Sequence, residues 1–263
     1  MTNWKEMPAL QHLQKYRPLL YELVVRDLKV KYRRSFLGYL WSLLNPLLMM
    51  AVMSFVFSYI FRYDIENYPL YLICGQTLWG FFNESTNMAM YSVLQNGSLI
   101  KKVYIPKFIF PMSRVFSSFV TMSFSLGAIL IVMLVTRAPL HWQLLLFPLP
   151  LILLLLFAMG VSMVLSSLSV YFRDVTHLYS VVTLAWMYVT PVFYPVSALP
   201  DEVAWVLKLN PMYYYLDNFR QLVLYGSLPT AKSWCICLLC SGVALAVGLA
   251  VFRKLQRNFI LYL

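Results

Sequence analysis

Charge is what this chain has least of. Of its 263 residues only 12% are Asp, Glu, Lys or Arg, against 61% that are hydrophobic, and a soluble domain carries roughly twice that charged share. A water-exposed globule of this length is therefore excluded. Nucleotide chemistry is missing too. None of the nine glycines opens a G-x-x-x-x-G-K-[ST] loop, the arrangement whose backbone N–H groups cradle phosphates, so hydrolysis by that route is excluded. There is no H-E-x-x-H, and His12, His141 and His177 stand far apart, so no zinc site and no Ser-His-acid set comes together in one compartment. Cys235, Cys237 and Cys240 form a C-x-C-x-x-C cluster inside an apolar run without His or acid nearby. They read as small buried hydrophobes rather than as metal ligands or a disulfide framework. No catalytic, cofactor or metal residue is expected in the chain, and residues 1–36 lack the short apolar core of a secretory leader, so the first apolar run is expected to be retained.

What the chain does have is long apolar runs, and about 20 apolar residues carry a helix across a bilayer. Spans are expected at about 37–61, 70–93, 108–135, 144–170, 178–193 and 233–252. Asn45-Pro46 interrupts the first and predicts a kink. Residues 194–232 are neither a clean span nor a soluble loop, with Pro195, Pro200, Pro211, Pro229 and Tyr213-Tyr214-Tyr215. Two short re-entrant helices fit there, their irregular backbone buried in protein or lining water. The expected fold is an all-α membrane protein of six transmembrane helices: a cytoplasmic segment, 1–36, followed by a single transmembrane domain, 37–263. Within the first segment, from Pro18 on, Leu20, Val24, Leu28 and Tyr32 repeat at four-residue spacing while Glu22, Arg26, Lys29 and Arg33 occupy another face. That is an amphipathic interfacial helix, lying in the headgroup plane or packed on a neighbouring protein surface.

The net charge of +11 follows from topology. Eight Lys and Arg precede the first span, four lie at Lys101, Lys102, Lys107 and Arg114, one is Arg173 and three are in the tail, Arg253, Lys254 and Arg257. Only Arg62, Arg137, Lys208, Arg220 and Lys232 fall on the other side. By the positive-inside rule both termini are cytoplasmic, and the basic balance needs no nucleic acid. Glu84, beside Asn83 in the second span, is the clear intramembrane acid, a functional hypothesis unless a neighbouring helix neutralises it. Aromatics crowd several spans. Phe55, Tyr59, Trp79, Phe82, Tyr91, Tyr188 and Phe193 are candidates to line a conduit for sugars, whose C–H faces stack on rings. Interfacial anchoring and helix packing are the alternative for each.

Several segments in order carry a resemblance. They are Tyr32-Arg33-Arg34-Ser35-Phe36-Leu37-Gly38-Tyr39-Leu40-Trp41 with Asn45-Pro46, then Lys101-Lys102-Val103-Tyr104-Ile105-Pro106-Lys107, Tyr171-Phe172-Arg173-Asp174-Val175, Asn210-Pro211-Met212 leading to Phe219-Arg220, and the basic tail. Over essentially its whole length the chain resembles the membrane subunit of an ABC-2 type transporter of the polysaccharide and polyol-phosphate export branch. The resemblance implies a homodimer in the inner membrane, bound to two separate ATPase subunits that hold ATP and Mg. It implies a cargo of O-antigen-like glycan, capsule or teichoic acid on an undecaprenyl-pyrophosphate carrier. Lys101, Lys102, Val103, Tyr104, Ile105 and Pro106 would belong to the ATPase-coupling segment, with a second contact at Arg173 and Asp174. Arg26, Lys29, Arg33 and Arg34 would meet the carrier's pyrophosphate, with Tyr39 and Trp41 flanking its way in. The alternatives are an ABC-2 exporter of a small lipid or drug and an integral-membrane glycosyl- or acyltransferase.

Overall fold

The computed structural model describes residues 9–33, 35–57, 65, 67–198 and 200–263. Their regular structure is helical: α1 Ala9–Tyr32, α2 Trp41–Val56, α3 Tyr68–Gln95, α4 Gly97–Lys102, α5 Ile109–Val135, α6 Pro148–Tyr171, α7 Val175–Val189, α8 Asp201–Leu209, α9 Pro211–Val223, α10 Ala231–Leu255 and α11 Phe259–Tyr262. Among the described residues, four helical stretches are long and apolar enough to cross a membrane: Gly38–Val56, Ile109–Val135, Trp142–Tyr171 and Ala231–Tyr262. The two other expected spans are helices that differ from that pattern. α3 has the length, 28 residues, but carries Gln76, Thr77, Asn83, Glu84, Thr86 and Asn87. α7 is apolar but only 15 residues long, about 22 Å at 1.5 Å per residue.

The polarity of α3 is explained by its place. It runs through the middle of the bundle between α5 and α6, and Leu70, Leu72, Ile73, Leu78, Phe82, Ala89 and Val93 are all fully buried. Polar groups on such a helix face protein rather than lipid. Phe82 stacks on Phe157 at 5.6 Å and meets Trp186 edge-on at 5.1 Å. Several buried hydroxyls on these helices spend their donors locally: Thr86 and Ser167 back-bond to the carbonyls of Phe82 and Met163, four residues earlier, an outlet for the donor in apolar surroundings. α6 and α10 pack closest of all. A methyl on Gly160 would lie 2.2 Å from the Ala244 backbone, and one on Gly248 only 2.3 Å from the Gly160 carbonyl oxygen. Small residues allow this approach, which in lipid supplies the dispersion contact that holds helices together.

Contacts between loops sort the helix ends into two faces. At one face the segment after Leu255 meets Tyr171, Lys107 and Gly97. At the other, Asn67 donates to Thr136 at 2.8 Å, Tyr68 donates to the Phe193 carbonyl at 2.7 Å, and Gly226 abuts His141. α3, α5, α6, α7 and α10 therefore each run from one face to the other, alternating in direction.

α1 packs against α5 before α2 begins. α1 begins at Ala9 and not at Pro18, because residues 9–15 (Ala, Leu, Gln, His, Leu, Gln, Lys) are mostly strong helix formers. It does not end flat at the surface either. Asp27 contacts Arg114, Lys31 reaches Glu84, Tyr39 packs on Phe124 and Ser42 accepts from Ser125, so the chain climbs beside α5. Glu84 is eleven residues before the end of α3, about 16 Å along its axis. Burial of Leu23 and Asp27 draws α1 inward. α2 then continues through Pro46 without interruption. The expected end of this span near residue 61 lies outside the described residues.

Between α7 and α10, α8 and α9 are joined at Asn210, whose side chain accepts from the Met212 N–H and from Trp186 Nε1 and donates to Thr190. This N-cap with Pro211 at the first helical position starts α9 firmly.

Candidate functional site

A cavity of about 510 Å³ lies between α2, α3 and α5, closed at one side by Met187, Val192 and Phe193. Its apolar lining includes Trp41, Met49, Met53, Trp79, Phe81 and Met122; interspersed with these on the same helices are Asn45, Gln76, Thr77, Thr121 and Ser125. The Oε1 of Gln76 and the Oγ1 of Thr77 are buried with no hydrogen-bond partner among the described residues. Each such atom costs about 1–3 kcal/mol. A guest with hydroxyl groups on an apolar frame matches the mixed lining. At Gly80, a position on this wall, an added methyl would meet nothing within 4 Å.

Lys31 and Glu84 also line the cavity. Lys31 Nζ donates to Glu84 Oε1 at 2.7 Å, and Ser118 donates to the same oxygen at 3.5 Å. Glu84 is thus bonded to a neighbouring helix, the structural alternative that the sequence left open. Both partners are about one-third exposed, and an ion pair so open contributes about 0–1 kcal/mol. It is a contact that a competing anion displaces at little cost.

α1 is held by a different pair. The Asp27 carboxylate, buried, accepts from Arg114 Nη1 at 3.0 Å and from Arg26 Nη2 at 3.1 Å. Arg114 also donates to Gln95. Of the cations expected to meet an anionic headgroup, Arg26 is therefore partly neutralised by Asp27. Lys29 and Arg33 are exposed, and Arg34 lies outside the described residues. Lys31, which helical periodicity did not single out, is the cation that faces the cavity. Its signal was present: Lys31 and Asp27 are four residues apart and share one face of α1.

The aromatic set divides. Trp41, Trp79 and Phe193 line the cavity, and Phe193 stacks on Phe57 at 5.9 Å. Phe82 is wholly enclosed by Phe157 and Trp186, so in this conformation it packs the core and lines nothing. Phe55, Tyr91 and Tyr188 are exposed away from the cavity, Tyr39 is exposed beside Phe124, and Tyr59 lies outside the described residues.

Arg220, counted above among the cations of the non-cytoplasmic side, is 4% exposed. Its guanidinium donates to the Tyr71 carbonyl at 3.1 Å, the Pro191 carbonyl at 2.6 Å and the Val192 carbonyl at 2.9 Å, and lies 3.4 Å from the Tyr71 ring centroid. It locks α9 to α3 and to the turn after α7. Gly75 makes room for it: a methyl there would come within 2.4 Å of Nη2. A planar fork suits several carbonyls at once, which a lysine does not.

At the opposite face from Arg220, Lys101, Lys102, Val103 and Tyr104 are exposed, and Ile105 and Pro106 are half-buried. Arg173 and Asp174 are exposed at the α6–α7 turn. The two segments lie on one face of the bundle.

A family model described as the ABC-2 type transporter matches residues 18–224. The chain belongs to that family. The match takes in the cavity, the Lys31–Glu84 pair and the Arg220 lock. Among relatives of this ABC-2 chain, the O-antigen export system permease protein RfbA of Myxococcus xanthus is 31% identical over 252 residues, covering 95% of this chain and 97% of the relative. An RfbA of Klebsiella pneumoniae is 32% identical, covering 92% and 93%. The capsule polysaccharide export inner-membrane protein CtrC of Neisseria meningitidis is 23% identical, covering 98% of each.

Proposed function

We propose that this ABC-2 chain is the membrane subunit of an ATP-driven exporter that moves a lipid-linked polysaccharide from the cytoplasmic side across the inner membrane. The carrying observation is the cavity between α2, α3 and α5, which brings Trp41, Trp79 and Phe193 together with Asn45, Gln76 and Thr77. Sugar rings present an apolar face and hydroxyl edges, the two chemistries of that wall. The relatives named for O-antigen and capsule export support the same cargo class.

Six passes with both termini cytoplasmic accommodate the distribution of Lys and Arg, with α8 and α9 as the re-entrant pair. α2 and α7 leave apolar surface uncovered: Leu48, Val52 and Phe55 on one, Leu178, Val181 and Tyr188 on the other. A second copy of the chain covers part of it, and lipid the rest. Two ATPase subunits hold ATP and Mg and dock on the face of Lys101 to Pro106 and Arg173-Asp174. The half-exposed Lys31–Glu84 pair closes the cytoplasmic end of the cavity. An undecaprenyl pyrophosphate competes for Lys31, with Lys29 and Arg33 nearby in sequence, and releases Glu84.

The test is to co-express the chain with its cognate ATPase, purify through a tag on this subunit, and measure ATP hydrolysis in lipid with and without an undecaprenyl-linked glycan. A complex whose hydrolysis responds to the glycan is the expected result. A chain that purifies without any ATPase under gentle conditions overturns the reading and leaves the membrane transferase as the alternative.

A further inference from the structure

α4 has six residues, well under the roughly 12–15 at which an isolated helix becomes marginal in water. Tertiary contact must hold it, and its two buried residues are Gly97 and Ile100. Over Gly97 lies Leu263, whose side chain would sit 3.4 Å from an added methyl. The segment that ends in Leu263 is tied down at two further points. Tyr171, the last residue of α6 and two before Arg173, donates to the Leu255 carbonyl at 2.7 Å. Its ring lies 4.5 Å from Tyr262 and 6.1 Å from Phe259. Lys107, which follows the coupling segment, donates to the Gln256 carbonyl at 2.6 Å and stands 5.5 Å from the Phe259 ring. Burial pushes its ammonium below the ordinary lysine range. Phe259 itself is fully buried, edge-on to Phe252 at 5.5 Å.

We propose that residues 255–263 are a brace that fixes α4 and the Arg173-Asp174 turn as one rigid face, with Phe259 as the positioning residue on which docking of the ATPase depends. The proposal rests on the docking role given to that face above. The physical ground is that one short segment touches all three parts of the face: α4 through Leu263, the end of α6 through Tyr171, and the start of α5 through Lys107. A load applied at α4 is thereby delivered to α6 as well, and through the tight α6–α10 crossing to the bundle.

The test uses the whole chain in lipid, alone and with its ATPase, and reads amide hydrogen exchange and ATPase affinity for Phe259→Ala, Phe259→Leu and Tyr171→Phe. Phe259→Ala is expected to speed exchange at 97–103 and 171–176 at least about tenfold, as a local opening does, while α6 and α10 near Gly160 stay protected. ATPase affinity falls at least about tenfold with it, and Phe259→Leu restores both. Unchanged exchange at 97–103 overturns the brace. Faster exchange with undiminished ATPase affinity leaves the brace standing and overturns the docking role of the face. If Phe259→Ala does not insert, Tyr171→Phe removes a single hydrogen bond and is expected to move both readouts the same way by about threefold, from a bond of roughly 0.5–1.5 kcal/mol. No change in either readout overturns the proposal.

Discussion

Asp27→Ala separates an effect of docking from an effect of charge. In the native chain the Asp27 carboxylate is 3% exposed and Arg114 15% exposed, 3.0 Å apart, with Arg26 on the same carboxylate oxygen. Removing the acid leaves Arg114 with Gln95 as its remaining side-chain partner and brings two guanidinium groups together with nothing between them. Breaking one side of a buried pair costs about 3–5 kcal/mol, and that cost falls on the contact between α1 and α5. The remainder of the bundle does not depend on it. Hydrogen exchange in lipid is the suitable assay, because it reads local opening: protection in α1 is expected to fall by at least about a hundredfold, while α3 and α6 change little. The double variant Asp27→Leu with Arg114→Met removes both charges and leaves apolar side chains of similar size. It is expected to recover most of the loss, since replacing a whole buried pair is commonly neutral or stabilising by about 1–4 kcal/mol. If Asp27→Ala leaves α1 protection within about threefold of native, or the double variant is as damaged as the single losses combined, α1 is not held by this pair.

Three further outcomes follow from named contacts. Arg220→Met leaves the carbonyls of Tyr71, Pro191 and Val192 without their donors; at about 1–3 kcal/mol per unsatisfied group, Tm is expected to drop by at least about 6 °C, and a drop under about 2 °C refutes the lock. Gly80→Trp places a large ring in the cavity where space is open, so export in cells is expected to be blocked with Tm changed little; full export would remove the cavity from the cargo's path. Glu84→Lys sets two cations together at a half-exposed site, so stability changes by about 1 kcal/mol or less while export falls, and Lys31→Glu combined with Glu84→Lys restores it; failure of the swap to restore export shows that the two residues act independently.

Much of the fold was legible because lipid imposes a coarse code. Runs near 20 apolar residues with polar breaks gave helices close to their observed bounds, as with Ile109–Val135 against an expected 108–135. The proline-rich stretch held two short helices because Asn210-Pro211 carries a cap and a start signal together. What α1 packs against was not legible for a physical reason. Periodicity shows that α1 is two-sided but says nothing of what each side touches, and only the partner Arg114, far along the chain, reveals that Asp27 points into the bundle. Arg220 was missed the same way. Its partners are backbone carbonyls, which carry no residue identity, so no pairing could be read from composition. Glu84 was found, because an acid in an apolar run is costly wherever it lies. Its partner Lys31 sat unmarked among seven other cations before the first span.

The close crossing of α6 and α10 has a mechanical consequence. Two helices whose backbones touch at Gly160, Ala244 and Gly248 cannot slide or rotate past one another without clashing, and their contact continues into the central α3. They form a stator. Against it, α2 buries only Ser42, compared with fourteen of the 27 residues of α5, and α7 buries just Tyr179 and Thr183. Displacing α2 or α7 therefore forfeits less packing within the chain. α2 and α7 are thus the helices least held by this frame, whereas α1 is tied to α5 through Asp27 and Arg114.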